Sequence, residues 1–420
     1  MVKRTIGEIP HPNELALPIT SATTGEWHLC GGTLDRHSQG WKLYVPMTIL
    51  NARAIIRRTA PLIASAELQF KYVRDLQTLS KLNHGTYGYT QVGKGLVVYL
   101  PERDDAFITT LKRALRPFRD ECPAVPCARP IGDRLPLYYR YGSYRGASIE
   151  IDGREVADDR SDSARAVPPG VEDSLARHCS EVPEDPAIVA FLRRFPVFRV
   201  LRQQGKSGVF HCMDLACETF QEVVLKVGYH RGCVQPDGSD GCSFLRRELA
   251  FYRLLSQHGI DQLAPALVDA FDVPRKVILA LEHRVGSDLL SCKLDGRLTI
   301  AHLDAAWAMI EEIHGRGLFL GDAKLGNFLL GDDGQLRIVD FETAGVVGQS
   351  SPSMRTFLLT PAPTDQMVHD RAHFLASVLF AYDRAGDHTD SRCVNIASLT
   401  ATRPSDDVSA WALARLATLT

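Results

Sequence analysis

The chain has 420 residues, a formal net charge of −2, and 45% hydrophobic against 23% charged residues. This is ordinary globular composition, enough for about two or three domains, and the near-neutral charge points away from nucleic acid or an anionic membrane as partner. No apolar run approaches the ~20 residues that span a bilayer, and residues 1–10 lack the apolar stretch of a signal peptide, so a cytoplasmic protein is expected. The ten cysteines are scattered through the chain, which suits free thiols better than a disulfide framework. His211, Cys212, Cys217, His230, Cys233 and Cys242 form a loose group without the tight paired spacing of a structural zinc site.

In chain order, residues 41–50 read as a strand that Pro46 ends early, and residues 51–67 as a helix with Ala54, Ile55, Leu62 and Ile63 at helical spacing. Residues 68–73 form a short strand. Residues 96–100 are almost wholly apolar, as in a central strand. A helix follows over 101–118, with Asp104 and Asp105 in its first turn and Lys112, Arg113 and Arg116 near its end, as the helix dipole favours. Residues 137–141 are a further strand. The alternation of strand and helix predicts a mixed sheet.

Residues 152–185 carry Asp-Gly, Pro-Pro-Gly and several charges with little periodicity. They read as a connecting segment or as a surface excursion of the first domain. The expected organisation is a first domain over 1–155, a connection over 156–194 and a second domain over 195–420. In the second, strands are expected over 198–202, 209–214 and 222–227, with a Gly-containing turn at 205–208. A helix over 243–258, strands over 266–271 and 277–282, and a longer helix over 300–316 follow.

The strongest motif lies beyond that helix. Asp322 and Asn327 stand five apart, and Asp340 opens an Asp-Phe-Glu tripeptide after a short strand. This is the D-x-x-x-x-N of a protein-kinase-like phosphotransferase, with Asp-Phe-Glu in the place of its D-F-G. Phosphoryl transfer needs one carboxylate to accept the hydroxyl proton, the role of Asp322. It needs a second carboxylate and an amide oxygen to hold Mg2+ on the triphosphate of ATP or GTP, the roles of Asp340 and Asn327. Lys324 is placed to steady the transferred phosphate. Upstream, Lys226 ends an apolar strand and Glu248 sits in the next helix, the pattern of a nucleotide-positioning ion pair. Gly205 and Gly208 occupy the place of a phosphate-covering loop. The usual His-Arg before the catalytic Asp is Leu320-Gly321 here, and no Ala-Pro-Glu follows; Thr360-Pro-Ala-Pro363 comes nearest. A short C-lobe is expected, with Asp370 ordering it ahead of an apolar helix over 374–382.

Gly40-Trp-Lys42-Leu-Tyr44-Val, Phe70-Lys71-Tyr-Val, Gly93-Lys94-Gly and Leu137-Tyr-Tyr-Arg140-Tyr-Gly142 resemble the N-terminal lyase domain of class III and IV lanthionine synthetases. The Asp322 to Asp-Phe-Glu region resembles the kinase domain that follows it in that family. The resemblance implies an α+β chain: a mixed α/β domain like the effector-type phosphothreonine lyases, then a two-lobed kinase-like domain. It implies phosphorylation of Ser and Thr in a precursor peptide (a leader plus a Ser/Thr/Cys-containing core), then elimination to dehydroalanine and dehydrobutyrine. The family's cyclase domain is not matched, so a separate or removed cyclase is expected.

By the same resemblance Lys71 is the base that removes the Cα proton, its pKa lowered by nearby cations. Arg140 grips phosphate with its planar fork, and Lys42 and Lys94 add charge. The family's general-acid His is Tyr44 here; a phenol, pKa near ~10 when unperturbed, stays protonated and can donate. His28, His37 and His84 are the other candidates for that role. Two rival readings remain: a peptide kinase with an inactive, peptide-binding lyase domain, and a non-catalytic scaffold that recruits the precursor.

Overall fold

The computed structural model describes the chain except residues 1–5, 32–36, 162–165, 180–184, 217–219, 274, 351–356, 361, 381–391, 402 and 420. Cys217, Pro361 and Tyr382, used in the sequence reading, lie outside the described residues.

Strands β1 (Ser21–Thr24), β2 (Trp27–Cys30), β3 (Gln39–Val45), β4 (Phe70–Val73), β5 (Leu96–Leu100), β6 (Arg129–Pro130) and β7 (Tyr138–Ser143) form one sheet in the order β1-β2-β4-β5-β3-β7-β6. Every pairing in it is antiparallel, which corrects the mixed sheet expected above. Strand–helix alternation does not require parallel strands: α2 (Leu76–His84) and the turn after it bring the chain back antiparallel beside β4.

The two-residue period of a strand sorts β3 onto two faces. Trp41, Leu43 and Val45 enter the main core of this region. Lys42 and Tyr44 point the other way, where Tyr44 packs with Val97, Tyr99, Val125 and Tyr144. The core face is covered by α1 (Ala52–Ser65) through Ile55, Ile56 and Ile63 and by α3 (Asp105–Leu115) through Ile108, Leu111 and Leu115. Asp104 caps α3 by accepting from the Phe107 amide at 2.9 Å, and Lys112 and Arg113 sit in its last turn. Central β5 is buried along its whole length, as its unbroken apolar run requires.

Residues past Asp152 are part of this packing. β8 (Ser148–Ile151) and β9 (Arg154–Ala157) form a hairpin, and Leu175 is fully buried in the first core.

In the second half β10 (Val197–Gln203), β11 (Ser207–Asp214), β12 (Gln221–Tyr229), β13 (Leu267–Val273) and β14 (Lys276–Glu282) form an antiparallel sheet in the order β10-β11-β12-β14-β13. One face takes Phe191 of α4 (Pro186–Arg194) and Phe195 against Cys212, Val223, Leu225 and Ala280. The other takes α5 (Gly241–Gln257), whose Leu245 and Leu249 share a core with Leu279 and Leu281. That core continues into a helical region containing α6 (Leu289–Leu294), α7 (Ile300–Gly315) and α8 (Gln366–Leu379). The two halves touch at charged groups: Arg275 pairs with Asp120 at 2.6 Å and Arg231 with Glu121 at 3.1 Å. Among the described residues no helix is long and apolar enough to cross a membrane.

Candidate active sites

The first site lies on the outer face of the seven-stranded sheet. Lys71 on β4 pairs across to Val97 on β5, and Val97 to Tyr44 on β3. One step along, Tyr99 pairs with Lys42, and Lys42 with Arg140 on β7. Two adjacent rows on a single face therefore hold Lys71, Tyr44, Lys42 and Arg140. Lys94, from the loop before β5, lies 5.1 Å from the centre of the Tyr44 ring. Lys42, Lys94 and Arg140 are all buried.

Sequence reading missed the group that organises these cations. Asp158, at the end of the β8–β9 hairpin, has a fully buried carboxylate 2.8 Å from Arg140 and 2.9 Å from Arg160. It also accepts from the Ser143 amide at 3.2 Å. Burial alone would raise its pKa, but the Arg140 hydrogen bond and the charges of Arg140, Lys42 and Arg160 hold it below the usual carboxylate range. Neither Asp158 nor Arg160 lies in a motif; both come from the segment read as a connection.

The carboxylate of Asp158 does not offset all of these cations. Burial, then the charges of Arg160, Arg140 and Lys94, bring Lys42 down to about 7. Burial and Arg140 bring Lys94 to about 8. Burial and Arg160 lower Lys71, whose ammonium lies 4.2 Å from the centre of the Trp27 ring. The Nε–H of Arg140 is buried without a hydrogen-bond partner among the described residues. The Tyr44 phenol is pushed up by burial and stays protonated. Of the other acid candidates, His28 pairs with Tyr72 and so faces away from Lys71. His37 is exposed, and His84 ends α2 with its carbonyl accepting from the Gly205 amide at 3.1 Å. The arrangement can bind a phosphoryl group and take a proton with a neutral amine.

The second site lies where the five-stranded sheet meets the helical region. Lys226 on β12 donates to both carboxylate oxygens of Glu248 on α5, at 2.9 and 2.7 Å, and to Asp340 at 2.9 Å. Burial disfavours its charge, but Asp340, Glu248 and Glu342 outweigh that and hold the ammonium well above the ordinary lysine range. Burial also opposes the Asp340 charge, and Lys226, Lys206 and Lys324 reverse the balance, holding it low. Asp340 adopts a left-handed backbone, φ 71°, which a non-glycine residue keeps only where its surroundings enforce it.

Asp322 pairs with Lys324. Asn327 donates its amide nitrogen to the Asp322 carbonyl at 3.0 Å, which leaves its oxygen as the end available to a cation. Asp370 accepts from the amides of Leu320 and Gly321 at 2.6 and 2.7 Å, setting the backbone that leads into Asp322. Gly321 has φ 80°, and a Cβ there would meet the Thr343 carbonyl at 2.5 Å. Sequence reading did not single out His373, fully buried on α8. It lies 3.3 Å from Asp322 through Nε2 and 2.8 Å from the Ala323 carbonyl through Nδ1. Glu342, read from the sequence only as the last residue of Asp-Phe-Glu, pairs with Lys206 of the turn after Gly205. Glu248, Asp340 and Glu342 bring carboxylate oxygens within 4.8 Å of one another, a donor set that suits a hard divalent cation.

Residues 12–175 match the family model described as RamC, N-terminal domain. Over 364 residues the chain is 25% identical to the "Probable SapB synthase" of Streptomyces coelicolor, covering 78% of this chain and 38% of that protein. The chain is thus similar to the RamC N-terminal domain over its first part and to that synthase over most of its length. It is also similar to CBL-interacting protein kinase 16 of Oryza sativa subsp. japonica, 26% identical over 38% of this chain and 34% of that one. For CBL-interacting protein kinase 5 of the same plant the figures are 27%, 36% and 32%. The chain spans about a third of the length of the curated relatives it matches. The match to that synthase covers more of the chain than the family model, which ends at residue 175.

Proposed function

We propose that this chain is a lanthipeptide dehydratase made of a lyase-like first domain and a two-lobed kinase-like second domain. The observation that carries the reading is Lys226, bridging Glu248 of a helix and Asp340 of the segment after a strand, in one chain with the cationic face around Lys71. In the first reaction Asp322 accepts the proton of a Ser or Thr hydroxyl as its oxygen bonds to the γ-phosphorus of ATP or GTP and the nucleoside diphosphate leaves. Asp340 and Asn327 would hold Mg2+, which spreads the phosphate charge. Lys226 orients the phosphates and Lys324 faces the transferred group.

In the second reaction the neutral amine of Lys71 takes the Cα proton. The Cβ–O bond breaks, phosphate leaves with the electron pair, and the Cα–Cβ double bond of dehydroalanine or dehydrobutyrine forms. Arg140, Lys42, Lys94 and Arg160 stabilise the departing dianion, and Tyr44 donates to its bridging oxygen. The substrate is a precursor peptide with a leader and a Ser/Thr/Cys core, and a cyclase acting on the same peptide is the expected partner. The presence together of Lys226, Glu248, Asp322, Asn327 and Asp340 favours this reading over a non-catalytic scaffold.

Incubating the protein with nucleotide, Mg2+ and such a peptide tests it. Mass spectrometry is expected to show phosphate gain followed by loss of water relative to the starting peptide. Phosphopeptide that accumulates unchanged would select the kinase with an inactive lyase; no change in mass would leave only the scaffold.

A further inference from the structure

Far along the same sheet from the second site, three side chains converge that the proposed reactions do not use. His211 lies on β11, Glu222 on β12, and His283 directly after β14. On β12 the two-residue period puts Glu222, Val224 and Lys226 on one face, and His211 pairs across to Val224. The His283 amide donates to the Glu222 carbonyl at 3.3 Å, extending the ladder by one step. The Nε2 of His211 and the Nδ1 of His283 both approach the same Glu222 oxygen, at 2.8 and 2.9 Å. All three donor atoms lie within 4.8 Å of one another.

We propose that His211, Glu222 and His283 bind a zinc-class divalent cation. Two imidazole nitrogens and one carboxylate oxygen are the donors that borderline first-row metals select, whereas Mg2+ and Ca2+ prefer oxygen alone. Ligands about 2.0–2.1 Å from a tetrahedral zinc lie roughly 3.3 Å apart, so the observed spacings need to open by only a few tenths of an ångström. The rings are held in place: their centroids are 3.9 Å apart, and Phe198 packs on His211 at 4.3 Å. The imidazoles are 12% and 20% exposed and Glu222 49%, so the site opens outward and leaves a fourth position for water. Four residues of strand, about 13 Å, separate Glu222 from Lys226, so the site is distinct from the Glu248–Asp340–Glu342 group. The sequence had associated His211 with cysteines; the fold pairs it instead with groups from two neighbouring segments. A bound ion would tie the β11–β12 hairpin to the point where the chain leaves the sheet for the helical region.

The test uses the full chain treated with chelator, then titrated with Co2+ in excess Mg2+, with the visible absorption of the bound ion as readout. One equivalent with a nitrogen-ligated spectrum is expected, and Zn2+ should displace it and raise the unfolding midpoint. His211→Ala and His283→Ala should each abolish that band, weakening binding by more than the about 10–100-fold that loss of a supporting partner costs. His283→Gln, which keeps size and polarity, serves if the alanine variant unfolds, with far-ultraviolet dichroism confirming the fold. A wild-type chain that gives no such band, or folded variants that keep it at full strength, would overturn the proposal.

Discussion

The two sites bury the same kind of residue to opposite effect. Lys42, Lys71 and Lys94 on the first sheet and Lys226 and Lys324 in the second half are all removed from water, and burial pushes every one toward the neutral amine. On the first sheet their neighbours are further cations around the carboxylate of Asp158, and the lysine pKa values fall. In the second half Asp322, Asp340, Glu248 and Glu342 surround the lysines, and the values rise. Burial acts in the same direction on both sets, so the neighbouring charges decide which way each lysine shifts. The first arrangement suits proton abstraction and anion capture; the second suits holding a polyphosphate.

Separating the two activities breaks the comparison most directly. Asp322→Asn should lower phosphoryl transfer by about 10³-fold or more while elimination from a synthetic phosphopeptide proceeds at the wild-type rate. Loss of both together would show that the sites are not independent. The mirror variant Lys71→Ala should leave transfer intact and lower elimination by about 10²–10⁴-fold, so phosphopeptide accumulates in a mass time course.

Arg160→Gln sharpens the electrostatic half of the argument. Lys71 must be neutral to accept a proton, so elimination rises with pH up to its pKa, which burial and Arg160 hold below the ordinary lysine range. Without Arg160 the ammonium is less disfavoured, the pKa climbs, and the ascending limb of the rate profile moves to higher pH. At neutral pH elimination therefore slows, with partial recovery in alkaline buffer; an unmoved limb would remove Arg160 from control of the base. A smaller effect is expected for His373→Asn, about 10-fold on the rate constant for transfer, since misplacing a catalytic group by 1 Å can cost up to about 10²-fold. The KM for nucleotide should stay put, because His373 contacts Asp322 and the Ala323 carbonyl in place of the Lys226 cluster.

Gly205→Ala probes the seam between the halves. A Cβ there would meet the Asn83 carbonyl at 1.8 Å, so the turn must move away from α2 and carry Lys206 with it. A raised KM for nucleotide without loss of elimination is expected, measured on peptide and phosphopeptide in parallel.

Much of the architecture could be read from local pattern. β5 announced itself as an unbroken apolar run, β3 stopped at Pro46, and α3 carried its acidic start and basic end. β1 escaped notice because all four of its residues are exposed, and an edge strand without a buried face has no apolar period to detect. The Asp322–Asn327–Asp340 spacing was visible because its geometry is set within one short stretch of chain.

The amino-acid sequence on its own determined where β3, β5 and α3 form and how Asp322, Asn327 and Asp340 are spaced. These follow from periodicities and spacings of a few residues. Only the tertiary structure decided that Asp158 and Arg160 enter the cationic face, that His373 backs Asp322, and that Glu342 reaches Lys206. Those partners come from segments far apart along the chain, and a charge carries no local signature of the partner that will offset it; that choice is made when the sheets and helices pack.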